Sequence, residues 1–395
     1  MRMGWQTKAL AEACQIKPPK SEARDKLSAD SLVSFLPMEN MGVDEKFVQA
    51  IQKRLLSAVV GSYTYFADGD VLLAKITPCF ENGKLGIAEG LTNGIGFGSS
   101  EYFVFRPDTT LGKEWLYYFL SRETFRVEGA ARMTGAVGHK RVSKEFIESH
   151  PIPVPPLAEQ QRIVGLLDEA FEGIATAKAN AEKNLQNACA LLESHLQSVF
   201  TQRGSGWVET TLGEIGKISM CKRIFKEETT ATGDIPFYKI GTFGKEPDAF
   251  IPNHTYNDYR AKYPFPKKGD VLISASGTIG RRVRYDGEPA YFQDSNIVWI
   301  DNDEKQVLND YLYHFYRACE WNSTKGATIS RLYNDNLRRI AIGFPKALQE
   351  QHRIVAQLDS LSEEAQHLAR IYERKLALLA DLKKSLLHQA FSGEL

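Results

Sequence analysis

Four short stretches of this sequence carry the side chains that a nucleic acid needs from a protein. Lys and Arg neutralise phosphates, while Arg, Lys, Asn, Gln, Ser and Thr reach base edges. The first stretch, Lys75 to Lys84, offers Lys75, Thr77, Asn82 and Lys84. The second, Arg132 to Arg141, offers Arg132, Thr134, His139, Lys140 and Arg141. The third, Ser274 to Arg282, offers Ser274, Ser276, Thr278, Arg281 and Arg282; the fourth, Asn322 to Tyr333, offers Asn322, Lys325, Arg331 and Tyr333. Lys239 joins them as a further basic candidate. Small glycine-bearing loops with basic ends let a backbone come close to a phosphate. Each residue alone also reads as part of a solvated turn, so the expectation rests on the loops as wholes.

Other chemistries find no residues to run on. The sequence has no Asn-Pro-Pro-Tyr type motif for adenine methylation and no GxxxxGK[ST] phosphate loop. Gly94 to Gly98 has the wrong spacing for a dinucleotide site and reads as a turn. Asp70 and Asp270 each follow a glycine and precede an apolar run, which makes them turn residues rather than catalytic acids. The eight histidines and five cysteines lie at no metal-ligand spacing. The expectation is therefore no catalytic residue and no metal. No apolar run is long enough to cross a membrane and no secretory signal is visible, which points to a reducing cytoplasm. Formal net charge is zero, with the basic excess in the globular segments and the acidic excess in the helical ones.

The elements that must hold these loops are duplicated. Glu159-Gln160, Arg162-Ile163-Val164 and Leu167-Asp168 return as Glu350-Gln351, Arg353-Ile354-Val355 and Leu358-Asp359. Upstream, Gly69 to Leu72 returns as Gly269 to Leu272, Pro37 to Gly42 as Pro236 to Gly241, and Leu116 to Phe119 as Leu312 to Phe315. Gly135-Ala136 returns as Gly326-Ala327, and Trp5 to Leu10 as Trp207 to Leu212. The echoes keep their order, so the chain divides into a module over 1–156, a long helix over 157–200, a second module over 201–347 and a second helix over 348–395. The modules read as mixed α and β, with strands in GDVLLAKITP, EYFVFRP, KGDVLISAS and SNIVWI. KEWLYYFLSRETFRVE and NDYLYHFYRACEW read as helices.

Apolar residues in the first long helix step by four and three from Leu167 through Phe171, Lys178, Leu185 and Leu192 to His195 and Val199, the spacing of a coiled-coil seam. This places His195 on the seam as a packed or partly solvated residue rather than a ligand. In the second helix the spacing runs through Leu358, Leu361 and Leu368, then drifts through Leu379, Leu382 and Leu386 as if at a stutter. Helices of about 63 Å need a partner for such seams. The expectation is an antiparallel pair that buries Leu167, Phe171, Leu185 and Leu192 against Leu358, Leu368, Leu379 and Leu386. The Trp5 echo adds that Phe391 and Trp5 should lie within about 25 Å, closing the chain nearly into a circle.

PLAEQQRIVGLLD and ALQEQHRIVAQLD resemble the helix openings of Type I restriction–modification specificity subunits. LLHQAFSGEL resembles their C-terminus, and GDVLLAKITPCFENGKLG a stretch of their recognition domains. The resemblance implies an α+β fold with two target-recognition domains in tandem and an antiparallel coiled coil of pseudo-two-fold, circular symmetry. It implies a non-catalytic subunit that reads the two halves of a bipartite site in double-stranded DNA. Methyltransferase and restriction subunits would then bring S-adenosylmethionine, ATP and Mg, with no cofactor in this chain. A specificity protein for a fused nuclease–methyltransferase and a helix-linked protein-binding scaffold stay open as alternatives.

Overall fold

The computed structural model describes residues 5–50, 52–136, 138–202, 204–321, 324, 325, 330–332 and 334–395, with backbone alone at 324, 325, 330 and 331. It divides into two compact units, Met1–Ala181 with Arg374–Leu395, and Glu182–Glu373. Each unit therefore holds one module, the opening or end of one long helix and the opposite part of the other.

The first unit centres on an antiparallel sheet in the order Cys14–Ile16, Tyr102–Pro107, Val71–Ala74, Leu85–Ile87. Val71–Ala74 is buried throughout, as a run of apolar residues covered on both faces must be. A second sheet orders Gln52–Leu55, Leu32–Leu36, Ile95–Gly98 and Thr64–Ala67, with Leu32–Leu36 parallel to Ile95–Gly98. Gln6–Ala9 pairs with Pro151–Val154, bringing the two ends of the module together.

The second unit repeats the plan. Its antiparallel sheet runs Gly216–Ser219, Ile297–Asn302, Val271–Ser274, Arg282–Arg284. A smaller sheet orders Phe250–Ile251, Ile235–Tyr238 and Tyr291–Phe292, and Trp207–Thr211 pairs with Ala341–Pro345. The Gly-Asp echo is a shared turn. Gly69 and Gly269 stand at φ +90° and +94°, where side chains are rarely tolerated. Asp70 accepts from the backbone N–H of Ala67, and Asp270 from that of Lys267, each at 2.8 Å. Burial pushes both carboxyls up despite those bonds.

Three readings of the modules change. Pro37 follows the strand Leu32–Leu36, whereas Pro236 lies within Ile235–Tyr238, so that echo does not align the two folds. Gly94 closes a 3-10 turn, but Ile95–Gly98 is a buried strand: a Cβ on Gly96 would stand 2.2 Å from the Phe66 ring. The expected single helix after Gly112 breaks into Lys113–Ser121 and Glu123–Ala131. Arg122, extended between them, donates to the Phe119 carbonyl and lays its guanidinium over the Phe119 ring.

The long helices are Leu157–Thr201 and Leu348–Ser392. In the first unit Arg162 donates to the Leu395 carbonyl, while Lys383 sits over the Phe171 ring at 5.5 Å. Moving forward along one helix thus moves backward along the other, and the pair is antiparallel. Leu167 and Leu358 are fully buried, Leu192 is buried, and Phe171, Leu185, Leu379 and Leu386 are half-buried. Leu368 is a correction: it is 41% exposed, and Lys178 and His195 are exposed too, while Ala369, Ala177 and Leu196 turn inward. No stutter is needed, because Gln351, Val355, Leu358, Ser362, Ala365, Ala369, Tyr372, Leu376, Leu379, Lys383, Leu386 and Ala390 keep an unbroken heptad of buried or half-buried positions. The Lys383 stem can occupy a seam position because its charge reaches Asp44 at 2.8 Å.

The expected closure of the chain is present. Trp5 and Phe391 both pack on Trp115, with ring centroids 5.9 Å and 4.4 Å away.

Candidate nucleic-acid interface

An antiparallel sheet gathers at one end the loops that leave and enter alternate strands. In the first unit this brings together Lys17, which leaves Cys14–Ile16, Glu101, which enters Tyr102–Pro107, Lys75, which leaves Val71–Ala74, and Lys84, which enters Leu85–Ile87. Backbone bonds hold the row: Lys17 N–H to Val104 O, Lys75 N–H to Glu101 O, and Ala74 N–H to Lys84 O. The second predicted loop joins the first. Thr77 N–H donates to Lys140 O, Val142 N–H donates to Lys75 O, and Thr134 and Arg141 exchange both their backbone bonds.

The resulting surface is basic and exposed at Lys17, Arg132, His139 and Lys140, with Asn82 and Thr134 beside them. Arg141 forks onto Glu101 through Nε and Nη2, both at 2.8 Å, and Lys75 Nζ lies 4.0 Å from the same carboxylate. Burial pushes the Lys75 amine below the usual lysine range, and the Arg141 bond holds Glu101 below the usual carboxylate range. Two candidates are already bonded within the protein. Lys84 donates to Met38 O, and Thr77 Oγ1 donates to Glu81.

The second unit builds the same end from other residues. Ala275 N–H donates to Asn296 O, and Leu332 N–H donates to Ala275 O. These repeat the bonds of Lys75 to Glu101 and of Val142 to Lys75. Thr278 is exposed, and Arg281 donates from Nη1 to Phe243 O at 3.0 Å. Lys239 pairs with Asp248 at 2.8 Å. Three candidates are structural instead. Ser274 is fully buried and its Oγ accepts from Arg281 N–H, and Ser276 is buried against the Asn296 side chain. Arg282 turns its guanidinium over the Tyr313 ring at 4.4 Å, because its strand position faces the module helix and not the loop. Asn322 and Tyr333 lie outside the described residues, and at Lys325 and Arg331 only the backbone is described, pairing as a short hairpin.

Sequence reasoning missed Lys17, Glu101, Lys222, Arg223 and Asp294. Arg223 binds Asp294 through Nε at 2.9 Å and Nη2 at 2.8 Å, on the loop that enters Ile297–Asn302. None lies in a glycine-bearing loop, and only strand pairing brings them to the row.

A family model described as the type I restriction modification DNA specificity domain matches twice, over residues 3–186 and 204–373. This chain belongs to that family. Its two specificity domains are similar to curated specificity subunits. The Haemophilus influenzae protein S.HindORF215P, provisionally named a type I restriction enzyme specificity subunit, is 46% identical over 253 residues, 63% of this chain and 64% of that one. The type I restriction enzyme EcoAI specificity subunit of Escherichia coli is 33% identical over 227 residues, 51% of this chain and 38% of that one. The matched part thus spans less than two thirds of either relative. Among solved structures, a chain from the assembly and conformational transition of a type I R-M system aligns with TM-score 0.82 and 20% identity, over 100% of this chain and 99% of that one. The HsdS subunit of Thermoanaerobacter tengcongensis aligns at 0.67 and 20%, over 100% and 98%. Both likenesses speak to the fold.

Proposed function

We propose that this chain is the DNA-recognition subunit of a type I restriction–modification complex. Each specificity domain would read one half of a bipartite duplex site with the sheet end described above. The observation that carries this is the duplicated construction of that end, where the carbonyls of Lys75 and Ala275 each accept a backbone bond from the chain beyond the module helices, at Val142 and Leu332. Two edges of the same construction on one chain suit a site with two halves. Lys17 and Lys140 would neutralise phosphates, and Thr134, Thr278 and Arg281 would approach bases.

The chain itself catalyses nothing in this reading. Methyltransferase subunits docked on it would hold S-adenosylmethionine, and a restriction subunit would use ATP and Mg. Among the described residues no helix is long and apolar enough to cross a membrane. Its five cysteines are all unpaired, which suits a reducing cytoplasm.

The deciding experiment co-expresses the chain with its methyltransferase subunit and maps methylated adenines genome-wide. A single bipartite motif is the expected result, and unmethylated DNA would overturn the reading. In binding assays, Lys140→Ala should weaken all sequences and lower the salt slope by about one.

A further inference from the structure

Two arginines stand apart from the other basic groups of the candidate interface, one in each specificity domain. Arg141 has 46% of its side chain exposed, and Arg223 has 58%. Each is held by a carboxylate far less exposed than itself: Glu101 at 22% and Asp294 at 14%. Both acids sit on the loop that enters the second strand of the main sheet. Glu101 accepts the Lys75 N–H through its carbonyl, and Asp294 stands two residues before Asn296, which accepts the equivalent N–H of Ala275. The arginines arrive from unrelated loops, Arg141 after the module helices and Arg223 after the first sheet strand.

A guanidinium has two edges able to make paired hydrogen bonds. One is the side edge, Nε with one Nη; the other is the end edge, formed by both Nη atoms. Glu101 occupies the side edge of Arg141 with both its oxygens, while Asp294 holds the side edge of Arg223 through one oxygen, which accepts from Nε and lies 2.8 Å from Nη2. The His139 carbonyl accepts one further proton from Arg141 Nη1 at 3.1 Å, which still leaves Nη1 a second N–H. Among the described residues nothing else bonds the end edges. The plane of Arg141 is thus fixed and Arg223 is tethered before any ligand arrives, which reduces the side-chain entropy lost on binding.

The same carboxylates make a phosphate a poor ligand. They cancel the charge a phosphate would seek and repel its oxygens, while leaving the end-edge donors in place. What suits such an edge is a neutral pair of acceptors in one plane. In the major groove only guanine presents that pair, N7 and O6. We propose that Arg141 and Arg223 each read one guanine, one in each half of the recognised site, and that Glu101 and Asp294 position them. This rests on the DNA-recognition reading above.

The test uses the chain assembled with its methyltransferase subunit and duplexes carrying its own methylated motif. Each guanine is replaced in turn by 7-deazaguanine, which removes the N7 acceptor alone. For the unaltered complex, one replacement in each half should weaken binding about tenfold. Arg141→Ala should abolish sensitivity to one of these, and Arg223→Ala to the other, with discrimination at all remaining positions kept. Glu101→Gln should reduce the same single sensitivity while leaving the salt slope unchanged. If either arginine variant keeps every sensitivity, or loses affinity evenly with a shallower salt slope, that arginine is not a guanine reader. A complex that favours no duplex overturns the DNA-recognition reading as well, so the two failures are told apart.

Discussion

Phe391, in the last turn of the second long helix, holds its ring 4.4 Å from that of Trp115 in the first module. Phe200, near the end of the first long helix, holds its ring 5.3 Å from Tyr311 in the second. The next contacts match too, Phe391 to Phe119 at 5.4 Å and Phe200 to Phe315 at 5.7 Å. Each helix therefore ends as a plug in a module, and the second plugs the module from which the chain began. Phe391 is 6% exposed and Phe200 only half-buried. Phe391→Ala should destabilise the first unit by about 3–5 kcal/mol and Phe200→Ala the second by less. Calorimetry reads this as one early transition in each variant; equal melting to the unaltered chain would show the plugs to be idle.

Gln160 and Gln351 are a second matched pair, both buried under the helix openings. Gln160 accepts from Gly112 N–H and donates to the carbonyls of Thr110 and Pro155. Gln351 accepts from Leu308 N–H and donates to those of Gln306 and Pro345. Each amide locks a helix opening to the loop before the module helix and to the exit strand. Gln160→Leu strands three backbone groups, that of Pro155 buried, and should cost about 2–3 kcal/mol. Urea unfolding measures it, and a loss below about 1 kcal/mol would mean that water replaces the amide.

These contrasts show what the sequence carries plainly. The helices could be read because their register is local: a constant offset of 191 preserves Gln160 and Gln351 together with Leu167 and Leu358. The second helix misled because it bears two apolar stripes. Leu368, Ile371, Leu378 and Leu382 face outward, whereas half of its seam is small or polar, as at Ser362, Ala369 and Lys383. The two sheet ends were half legible. The loops around Lys140 and Arg281 announced themselves by composition, but Lys17 and Glu101 reach one sheet end, and Asp294 the equivalent end of the second unit's sheet, through pairing between strands some eighty to ninety residues apart. Ser274 and Arg282 failed for the opposite reason. Their types suit DNA, while their positions in a fully packed strand and on a helix-facing edge do not.

The seam correction has a direct test. Leu358 is fully buried, and Leu358→Ala should cost about 2–5 kcal/mol. Leu368→Ala, at a position 41% exposed, should stay within about 0.5 kcal/mol. Chemical denaturation of the two variants side by side decides between the heptad and the stutter, since a stutter would make both costly.

His150 lies among the rings of Phe119, Phe125 and Phe146, at 5.6, 4.9 and 5.0 Å. Burial pushes its imidazole down to about 4, with Glu128 opposing the shift and Arg122 and Arg132 adding to it. The folded state thus holds it neutral while the unfolded chain takes up a proton below the ordinary pKa of 6.5. Its contribution is complete above that value and is lost as pH falls from 6.5 toward 4, reaching about 3 kcal/mol. His150→Phe should flatten this part of the melting profile between pH 7 and pH 4.5. Profiles that stay parallel would place the imidazole in a solvated setting.

The packing of Trp5 and Phe391 on one ring, Trp115, makes a stronger claim about connectivity. In the second unit the equivalent joint is covalent, with six residues between Phe200 and Trp207. In the first unit four residues follow Phe391 and four precede Trp5, so joining the ends gives a linker of eight. A chain closed in this way and reopened between Phe200 and Trp207 would keep both sheets, both helices and every backbone bond of the two sheet ends. It should melt within a few degrees of the parent and, with the methyltransferase subunit, methylate the same motif. The two outcomes separate the physics: a permutant that folds but methylates elsewhere would mean that the covalent joint sets the relation between the two readers, whereas one that fails to fold would mean that the Trp115 contact depends on free ends.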